Sequence, residues 1–504
     1  MMEQPTQRQV LRILTACMSA MFLASVESTI VATAAPTIVD DLGGLNLLSW
    51  VFTAYMLATT VSAALWGKLS DLLGRQRTFL AALTLFVAGS LLAGLARDMP
   101  QLIMSRGLQG IGGGGLTAIA FIVMADILPP RKRGRYVGFM SATYAAGSVI
   151  GPMVGGALVD AFGWRSIFLL NLPLGAMAGA VAARALRGVG GRRKARLDLA
   201  GAVTLSGTIV CVLLAGVWGG DTYAWSSPTI IGLFAVAIAL AALFVLAERR
   251  ASEPVLALRL LGNRTLVVSV AIAALTTVPF NAAAVYLPLF LQTVRGASVS
   301  GSGVQLAPLM VAMSVASIVT GRRVSVTGRY RTVLVAGLVL GAAGSVSLAT
   351  IDAGTTTGTV MLMMVVLGFG FGMSSPVVNL TAQNAMPVED LGAASSAMLT
   401  LRSLGGTLGI GVVGTILLTR LRSNIASIPA ANDLDASSIA SGPETIRALD
   451  EPLRSDVVAA MADAVGGALA IGVVISIVAL LLAWLLPEHP LRDQASIQIS
   501  ESAV

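Results

Sequence analysis

Charge, histidine and cysteine are all scarce in this chain. Of its 504 residues, 12% are Asp, Glu, Lys or Arg, whereas 56% are hydrophobic, and the mean hydropathy is +0.84. A water-soluble domain of this size carries far more charge on its surface, which excludes that class. Both cysteines, Cys17 and Cys211, lie in apolar runs, so neither a disulfide framework nor a Cys metal site is expected. The single histidine, His489, follows the last apolar run, and the sequence has no phosphate-binding loop, which disfavours an enzyme.

Long apolar runs dominate the sequence instead. Each has about 20 residues, the length that an α-helix needs to cross a hydrocarbon layer of roughly 30 Å. The first run is too long for the apolar core of a signal peptide, and we expect it to remain as an uncleaved span. The runs predict an all-α polytopic membrane protein with fourteen transmembrane helices. The predicted spans are 12–35, 48–67, 78–96, 101–126, 136–158, 166–186, 199–218, 228–247, 266–291, 303–321, 332–351, 358–382, 391–418 and 461–486.

Positive charge is confined to short connections between the spans. The formal net charge of +8 would suit a nucleic-acid partner, but the cations are not spread over a polar surface. They cluster after even-numbered spans, except after span 12, where Glu389 and Asp390 stand instead. Because cytoplasmic connections carry the excess of Lys and Arg, we expect a multi-pass protein of the cytoplasmic (inner) membrane with both termini cytoplasmic, and no nucleic-acid partner. The clusters are 68–77, 131–135, 187–196, 249–264 and 322–331.

One connection recurs in the two halves of the chain. The stretch from Gly67 to Arg77 reads G-K-L-S-D-L-L-G-R-Q-R, and we expect a tight, charged loop between two spans. The same pattern recurs in the second half at a constant offset in the sequence. Its residues are Gly321, Gly328, Arg329 and Arg331, which correspond to Gly67, Gly74, Arg75 and Arg77. A repeat at half the chain length predicts a transporter made of two like halves. Asp71 corresponds to Ser325, so the acidic residue of this loop belongs to the first half only.

These residues resemble the signature loop between helices 2 and 3 of the major facilitator superfamily. Further motifs narrow the resemblance to its fourteen-span drug/proton antiporter branch. The resemblance implies the major facilitator fold: an N-terminal six-helix half (1–190), two inserted transmembrane helices with linkers (191–262), a C-terminal six-helix half (263–490) with an external loop at 419–460, and a cytoplasmic tail (491–504). The further motifs are E-S-T-I-V, L-I-M-S-R-G-L-Q-G, G-S-V-I-G-P-M-V-G-G, W-R-S-I-F-L-L-N-L-P-L-G, L-D-L-A-G, Y-L-P-L-F-L-Q and L-R-S-L-G-G.

Glu27 is the first candidate for proton coupling. A carboxylate in the first span costs on the order of 2.5–3.5 kcal/mol to insert, so it should face a cavity or a partner. The resemblance implies Arg106 in span 4 as that partner, at a compatible depth, with both residues in a proton relay. The alternatives are a permanently paired acid for Glu27 and an architectural cation that binds backbone carbonyls for Arg106.

The loop between spans 2 and 3 is the expected cytoplasmic gate. Its residues are Gly67, Asp71, Gly74, Arg75 and Arg77. The resemblance implies that the Asp71 carboxylate contacts the N-terminal end of span 13, near 391–392. Such a charge–dipole contact is worth roughly 0.3–2 kcal/mol. The alternative is a solvated loop acid. Asp126, at the end of span 4, is expected to pair with the cations at 131–135.

Two glycine patterns stand out in the first half. Gly110, Gly112 and Gly115 spell G-x-G-x-x-G, but they lie inside a span rather than after a strand, so we interpret them as close helix packing and not as a dinucleotide site. The second pattern resembles the motif that distinguishes antiporters from uptake carriers, with its glycines forming one flat face that seals or bends the central helix; packing alone is the alternative. Its residues are Gly147, Gly151, Pro152, Gly155 and Gly156.

Polar residues of the second half are candidates for a substrate pocket. Each would equally satisfy a neighbouring helix. The span-9 and span-10 segments contain no acid, and the resemblance associates such an acid with divalent cargo, so we expect monovalent or neutral cargo. The candidates are Asn281, Tyr286, Gln292, Asn379, Gln383 and Arg402.

The sequence therefore predicts a proton-coupled antiporter that exports lipophilic small molecules by alternating access. We expect a monomer in the lipid bilayer, powered by the proton gradient, without a cofactor or metal. Three alternatives remain open: an exporter or flippase of a lipid or cell-envelope glycolipid, an exporter dedicated to one self-made antibiotic, and a non-transporting membrane sensor.

Overall fold

The computed structural model describes residues 7–43, 47–128, 130–187, 189, 198–220, 222–251, 262–387, 391–428, 446 and 449–487. Helices dominate these ranges. In chain order they are α1 (Gln7–Leu42), α2 (Leu48–Leu73), α3 (Arg75–Gly94), α4 (Met99–Ile127), α5 (Pro130–Phe162), α6 (Arg165–Leu169), α7 (Asn171–Ala185), α8 (Leu199–Trp218), α9 (Pro228–Arg250), α10 (Arg264–Thr293), α11 (Val299–Gln305), α12 (Ala307–Thr327), α13 (Arg331–Ala349), α14 (Thr357–Asn384), α15 (Leu391–Ala426), α16 (Leu453–Leu469) and α17 (Ile471–Trp484).

The number of spans agrees with the sequence. Among the described residues, 13 helices are long and apolar enough to cross a membrane, and α2, bent by 47°, makes a fourteenth when its two parts count as one span. The all-α, fourteen-span prediction is thus confirmed. Three spans are each built from two consecutive helices, namely α6 with α7, α11 with α12, and α16 with α17. We call the side of the bundle on which α2 ends and α3 begins the loop face.

The expected loop at Gly67–Arg77 is almost entirely helical, which corrects the prediction. Helix α2 continues through Asp71 to Leu73, and α3 already begins at Arg75. Only Gly74 leaves the helix, at φ 90° and ψ 151°. Side chains avoid this backbone region, so one glycine makes the whole reversal. In the repeat, Gly328 likewise ends α12, in a left-handed conformation at φ 69°.

The expected external loop at 419–460 is also shorter than predicted. Helix α15 continues to Ala426 and α16 begins at Leu453. Polar residues at 419–426 had suggested a loop, but Leu421 and Ile425, one turn apart, are buried in the core of the second half. One buried residue per turn is enough to keep an otherwise polar segment helical against its neighbours. Several predicted connections lie outside the described residues. They are 429–445 and 447–448, the predicted tail at 491–504, and most of the predicted linkers around α8 and α9.

Helices α1 to α7 form the core of the first half, and α10 to α17 form that of the second. The halves meet along two seams: α5 packs on α12, and α2 packs on α15. Gly138 permits close approach at the first seam, because a Cβ there would lie 2.7 Å from the carbonyl oxygen of Ser317. The α5–α12 seam therefore depends on backbone-to-backbone contact, as in other membrane bundles.

The inserted pair lies against the second seam. Helix α8 packs on both α2 and α15, and α9 packs on α8. Ile209 and Leu213 of α8 form a small apolar cluster with Leu57 of α2 and Leu404 of α15. The Trp218 and Trp50 rings meet edge to face with centroids 5.8 Å apart. Helix α8 is therefore in contact with both halves at once.

Candidate functional site

A buried ion pair joins α1 and α4 near the middle of the bundle. Arg106 Nη1 donates to Glu27 Oε1, and the two residues are 1% and 0% exposed. Glu27 lies 20 residues after Gln7 and 15 before Leu42, deep within α1. The structure thus brings together the two residues predicted for proton coupling. A buried pair of this kind needs further hydrogen bonds to offset the loss of hydration of both charges.

Glycines of α4 bring Arg106 to this position. A Cβ on Gly110 would lie 3.1 Å from Tyr55 Cα, one on Gly112 would meet Phe86 backbone atoms at 2.7 Å or less, and one on Gly115 would lie 2.6 Å from Ala82 Cβ. Helices α2 and α3 therefore both lie directly against α4. This is the close packing expected for the G-x-G-x-x-G pattern, in which small residues let backbones approach.

Three neutral side chains complete the hydrogen bonds around the pair. Asn171, the first residue of α7, donates through Nδ2 to Glu27 Oε2 at 2.5 Å and to Ser90 Oγ at 3.0 Å. Gln109 accepts from Arg106 Nη1 at 2.6 Å and donates to Ser90 Oγ at 2.5 Å. Each carboxylate oxygen of Glu27 has its own charged or amide donor. In this arrangement the site stabilises an ionised Glu27.

Arg106 has two further contacts on α2. Its Nε donates to the Val51 carbonyl oxygen at 3.3 Å, and its guanidinium carbon lies 4.2 Å from the centre of the Tyr55 ring. The aromatic face and the carbonyl both attract a cation in a site without water. Helices α1, α2, α3, α4 and α7 therefore converge on one charge pair, which we call the Glu27 network: Glu27, Arg106, Gln109, Ser90, Asn171 and Tyr55.

Sequence reasoning missed the neutral members of this network. Asn171 belongs to the motif W-R-S-I-F-L-L-N-L-P-L-G, but the motif alone did not predict it as a site residue. A signal was present, because an amide in an otherwise apolar span needs a hydrogen-bond partner at its own depth. Nothing in the sequence alone shows which way each helix is rotated, and that rotation decides whether Asn171 meets Glu27.

Three of the four glycines in the antiporter motif pack against α1 beside Glu27. A Cβ on Gly147 would lie 2.8 Å from Ser25 Cβ, and one on Gly155 would lie 2.6 Å from Ile30 Cγ1. Gly151 similarly contacts Thr29 and the Val26 carbonyl oxygen. Gly156 has open space where its Cβ would be, which corrects the expectation of one flat face with four glycines. The spacing explains this, since residues four apart share a helix face and Gly156 is rotated away from it. Pro152 lies inside α5.

Arg75 is the centre of a second charge cluster, on the loop face. It donates to Asp71 Oδ1 at 2.5 Å, to Asp126 Oδ2 at 2.7 Å and to Ser70 Oγ. Asp126 is paired with Arg75 because α3 begins at Arg75 and directs this side chain at the end of α4. Of the cations at 131–135, Arg133 donates to the Leu128 and Ala125 carbonyl oxygens, and the side chains of 131, 132 and 135 lie outside the description, so the expected pairing with them stays a prediction. Gly67 is buried and Arg77 is exposed. The predicted contact of Asp71 with the start of α15 stays a prediction.

The structure divides the six pocket candidates of the second half into two groups. Three make local or neighbouring-helix hydrogen bonds: Tyr286 to the Ile410 carbonyl oxygen (2.9 Å), Gln292 to Ser302 Oγ (2.8 Å) and Gln383 to Ser395 Oγ (3.4 Å). The other three lie together. Arg402 donates to Ser375 Oγ at 3.3 Å, and Asn379 donates to the Ser375 carbonyl oxygen at 2.9 Å. Asn281 lies against Gly406, one turn after Arg402.

The sequence of the chain is similar to those of known membrane transporters. The model of the Major Facilitator Superfamily matches residues 17–198 and 189–410. The multidrug transporter protein MdtP of Bacillus subtilis is 38% identical over 81% of this chain and 75% of its own length. Multidrug resistance protein 3 of the same organism is 35% identical over 78% of this chain and 77% of its own length.

A solved structure agrees with the fold. The proton:xylose symporter XylE, bound to 6-bromo-6-deoxy-D-glucose, is similar with a TM-score of 0.64 at 16% identity, covering 98% of this chain and 99% of the other. At that identity the likeness shows the fold alone. With its fourteen spans, two packed halves and matched sequence, the chain belongs to the Major Facilitator Superfamily and is a multi-pass membrane transporter, not an enzyme.

Proposed function

We propose that this transporter is a proton-coupled antiporter that exports lipophilic small molecules such as drugs, dyes or antibiotics. Names of the relatives support a drug-efflux function. The observation that carries proton coupling is the Glu27 network, in which a fully buried carboxylate is held by donors from two other helices. Acidic residues within membrane spans are rare, and those that are present commonly belong to proton or substrate pathways.

Protonation of Glu27 changes the forces in this network. In the structure Glu27 accepts from both Arg106 and Asn171. A proton on the carboxyl removes the negative charge, so the attraction to Arg106 falls and one acceptor oxygen becomes a donor. Helices α1, α4 and α7 are then less tightly held together. Protonation from outside would favour cargo release and return of the carrier, and deprotonation to the cytoplasm would restore cargo binding.

The proton gradient supplies the energy for this cycle. One inward proton driven by a 100 mV potential provides about 2.3 kcal/mol. A tenfold difference in proton concentration adds roughly 1.4 kcal/mol. We assign the loop face to the cytoplasm, together with both termini of the chain, because Lys and Arg cluster there. The protein acts as a monomer in the cytoplasmic membrane.

Two features of the first half, a glycine contact and a charge cluster, support the conformational change. Gly147, Gly151 and Gly155 leave α1 and α5 with a smooth contact next to Glu27, along which one helix can shift. On the loop face the Arg75 cluster holds α2, α3 and α4 together, and Asp71 is 22% exposed at its edge. We assign the gate to this cluster, with Asp71 as the group that engages α15 when the cytoplasmic side closes.

Proton flux in everted membrane vesicles tests the proposal. A pH-sensitive dye reports proton release on addition of ethidium and a small panel of lipophilic compounds, for the wild type, Glu27→Gln and the matched control Asp160→Asn. Asp160 is an exposed acid near the end of α5, outside the Glu27 network. We expect cargo-dependent proton release from the wild type and from Asp160→Asn, and none from Glu27→Gln.

The other outcomes select among the alternatives. No flux from the wild type with any compound would reject the proposal and favour a lipid or glycolipid exporter, or a sensor. Flux with one compound class only would favour a dedicated antibiotic exporter. Equal flux from the wild type and Glu27→Gln would leave the antiporter in place and exclude Glu27 from coupling.

A further inference from the structure

Arg402 is a second intramembrane cation, and among the described residues it forms no ion pair. It lies 11 residues after Leu391 in α15 and 5 residues into the candidate span Ala397–Ala426, which is roughly 8 Å from the start of that span. From Arg264 to Ala426 the sequence has acids only at 352, 389 and 390, all in connections between spans. The intramembrane acid of the first half, Glu27, is already bound by Arg106 and Asn171. Within the part of the chain that the structure describes, the charge of Arg402 is thus left without a counter-ion.

The hydrogen bonds of Arg402 are also incomplete. Among the described residues it donates one bond, to Ser375 Oγ at 3.3 Å, and its guanidinium carbon lies 5.1 Å from the centre of the Phe371 ring. A guanidinium has five N–H donors in a planar fork that fits carboxylate, sulfonate or phosphate oxygens. Its side chain is only half-buried. Donors therefore remain for a group that enters between the two halves.

Polar and aromatic groups surround this guanidinium. Tyr144 is 40% exposed on α5, in the opposite half, and α5 packs on α14, the helix that carries Ser375 and Phe371. Asn281 of α10 lies one turn along, beside Gly406, and is half-buried without a hydrogen bond to any described residue. Phe371 stacks on Phe280 with ring centroids 4.1 Å apart. Exposed polar groups at this depth must face an internal cavity, because lipid would leave them unsatisfied.

We propose that Arg402, Tyr144 and Asn281 bind the acidic group of an anionic or zwitterionic lipophilic cargo, with the apolar part of the cargo beside Phe280 and Phe371. This inference rests on the proposed export function and names its substrate class. Arg402 supplies the charge, the Asn281 amide supplies a further donor from α10 of the same half, and the Tyr144 hydroxyl supplies one from α5 of the opposite half. A cationic compound such as ethidium would not bind through this site, because Arg402 repels it, so proton release on its addition tests export and not the anion site. A neutral cargo would leave the buried charge uncompensated and bind less tightly.

Two matched probes test this preference in protein reconstituted in nanodiscs. The dansyl sulfonate anion and the neutral dansyl amide share one aromatic system and differ in charge, and calorimetry gives both Kd values. We expect the wild type to bind the sulfonate at least tenfold more tightly, which is about 1.4 kcal/mol. Arg402→Gln should bind both probes within about twofold, and Arg402→Lys should keep part of the preference. Arg420→Gln, an exposed cation further along α15, should behave as the wild type.

A wild type without a preference for the sulfonate overturns the inference, and so does a preference that survives in Arg402→Gln. If Arg402→Gln does not fold, Tyr144→Phe gives the answer: at least threefold weaker sulfonate binding with unchanged amide binding supports the site, and unchanged sulfonate binding overturns it. Proton release by the wild type in vesicles separates this result from the export proposal. Release without sulfonate preference rejects only the anion site, whereas sulfonate preference without release by any compound rejects only proton-coupled export.

Discussion

Asn171 Nδ2 lies 2.5 Å from Glu27 Oε2, although the two residues are 144 apart in the sequence. The contact forms because the span of α6 and α7 is broken at Leu170, so that Asn171 stands at the start of a new helix. Ser90 of α3 accepts a second bond from the same amide at 3.0 Å. The orientation of the Glu27 carboxylate is thus set by a residue that carries no charge.

Removal of this amide should change the pH dependence of export. In Asn171→Ala the buried Oε2 loses one donor, which costs the ionised form roughly 1–3 kcal/mol. The half-maximal point of cargo-driven proton release should therefore move to higher pH. Titration of the flux in everted vesicles measures it, with Asn424→Ala, at the far end of α15, as control. An unmoved midpoint would mean that Asn171 has only a packing role.

Loss of one partner of the buried ion pair should be more damaging than loss of both. Arg106→Gln leaves the Glu27 carboxylate buried without its cation, at a cost of about 3–5 kcal/mol. In the Glu27→Gln, Arg106→Gln double variant both charges are absent, and we expect at least half of the lost thermal stability to return. Thermal unfolding of the purified proteins gives the comparison. Strictly additive losses in Tm would contradict an interacting pair.

The two turn glycines should respond differently to asparagine. Gly328 is in the left-handed region at φ 69° and ψ −9°, which asparagine tolerates, so Gly328→Asn should cost less than about 1 kcal/mol. Gly74 is at φ 90° and ψ 151°, a region restricted to glycine, so Gly74→Asn should cost roughly 1–3 kcal/mol. Tm values of the two variants are the measurement. Equal losses would show that the backbone angles do not decide the outcome.

Adjacent glycines of α5 provide a second matched pair. A Cβ on Gly155 would lie 2.6 Å from both Ile30 Cγ1 and Thr33 Oγ1, whereas one on Gly156 would meet nothing within 4 Å. Gly155→Ala should therefore separate α1 from α5 and reduce export at least tenfold. Gly156→Ala should leave export intact and raise stability by up to about 1 kcal/mol through helix propensity. Similar transport by both variants would argue against a tight α1–α5 contact.

An exposed ion pair beyond the first span should make a pH-dependent contribution to stability. Hydrogen bonds from Arg165 and Trp164 lower the pKa of Asp41 from its ordinary value of 3.8. A depressed acid pKa in the folded state stabilises the protein above the unfolded pKa, and this contribution disappears as the pH falls through the folded one. Wild type should therefore exceed Asp41→Asn in Tm at pH 7, and the difference should vanish in strong acid. A difference that grows on acidification would be the wrong sign.

Hydropathy was enough to predict the spans, because each must satisfy its backbone hydrogen bonds internally and present apolar side chains to lipid. The same rule does not predict where a helix ends once it has left the lipid. Buried Leu421 and Ile425 keep α15 helical through residues that the sequence had assigned to a loop. At the other end of the bundle, Gly74 is the only residue between α2 and α3, where the sequence predicted a loop.

The pairing of Glu27 with Arg106 was predicted from the resemblance to the family, with which their depths in the membrane are compatible. Arg75 was not predicted as a partner of Asp126, because cations nearby in the sequence had seemed sufficient, whereas the start of α3 brings Arg75 within 2.7 Å of this carboxylate. Asn171 and Gln109 depend on the rotation of α7 and α4 about their axes. Only the packing of several helices together fixes that rotation.

The position of α8 has a consequence for how cargo enters. Gly216 of α8 and Gly411 of α15 touch through their backbones, and Trp218 meets Trp50 of α2. A molecule that diffuses sideways within the lipid towards this seam meets the inserted helices first. The inserted helices therefore block the α2–α15 seam against lateral entry from the bilayer, whereas α5 and α12 meet without a covering helix among the described residues.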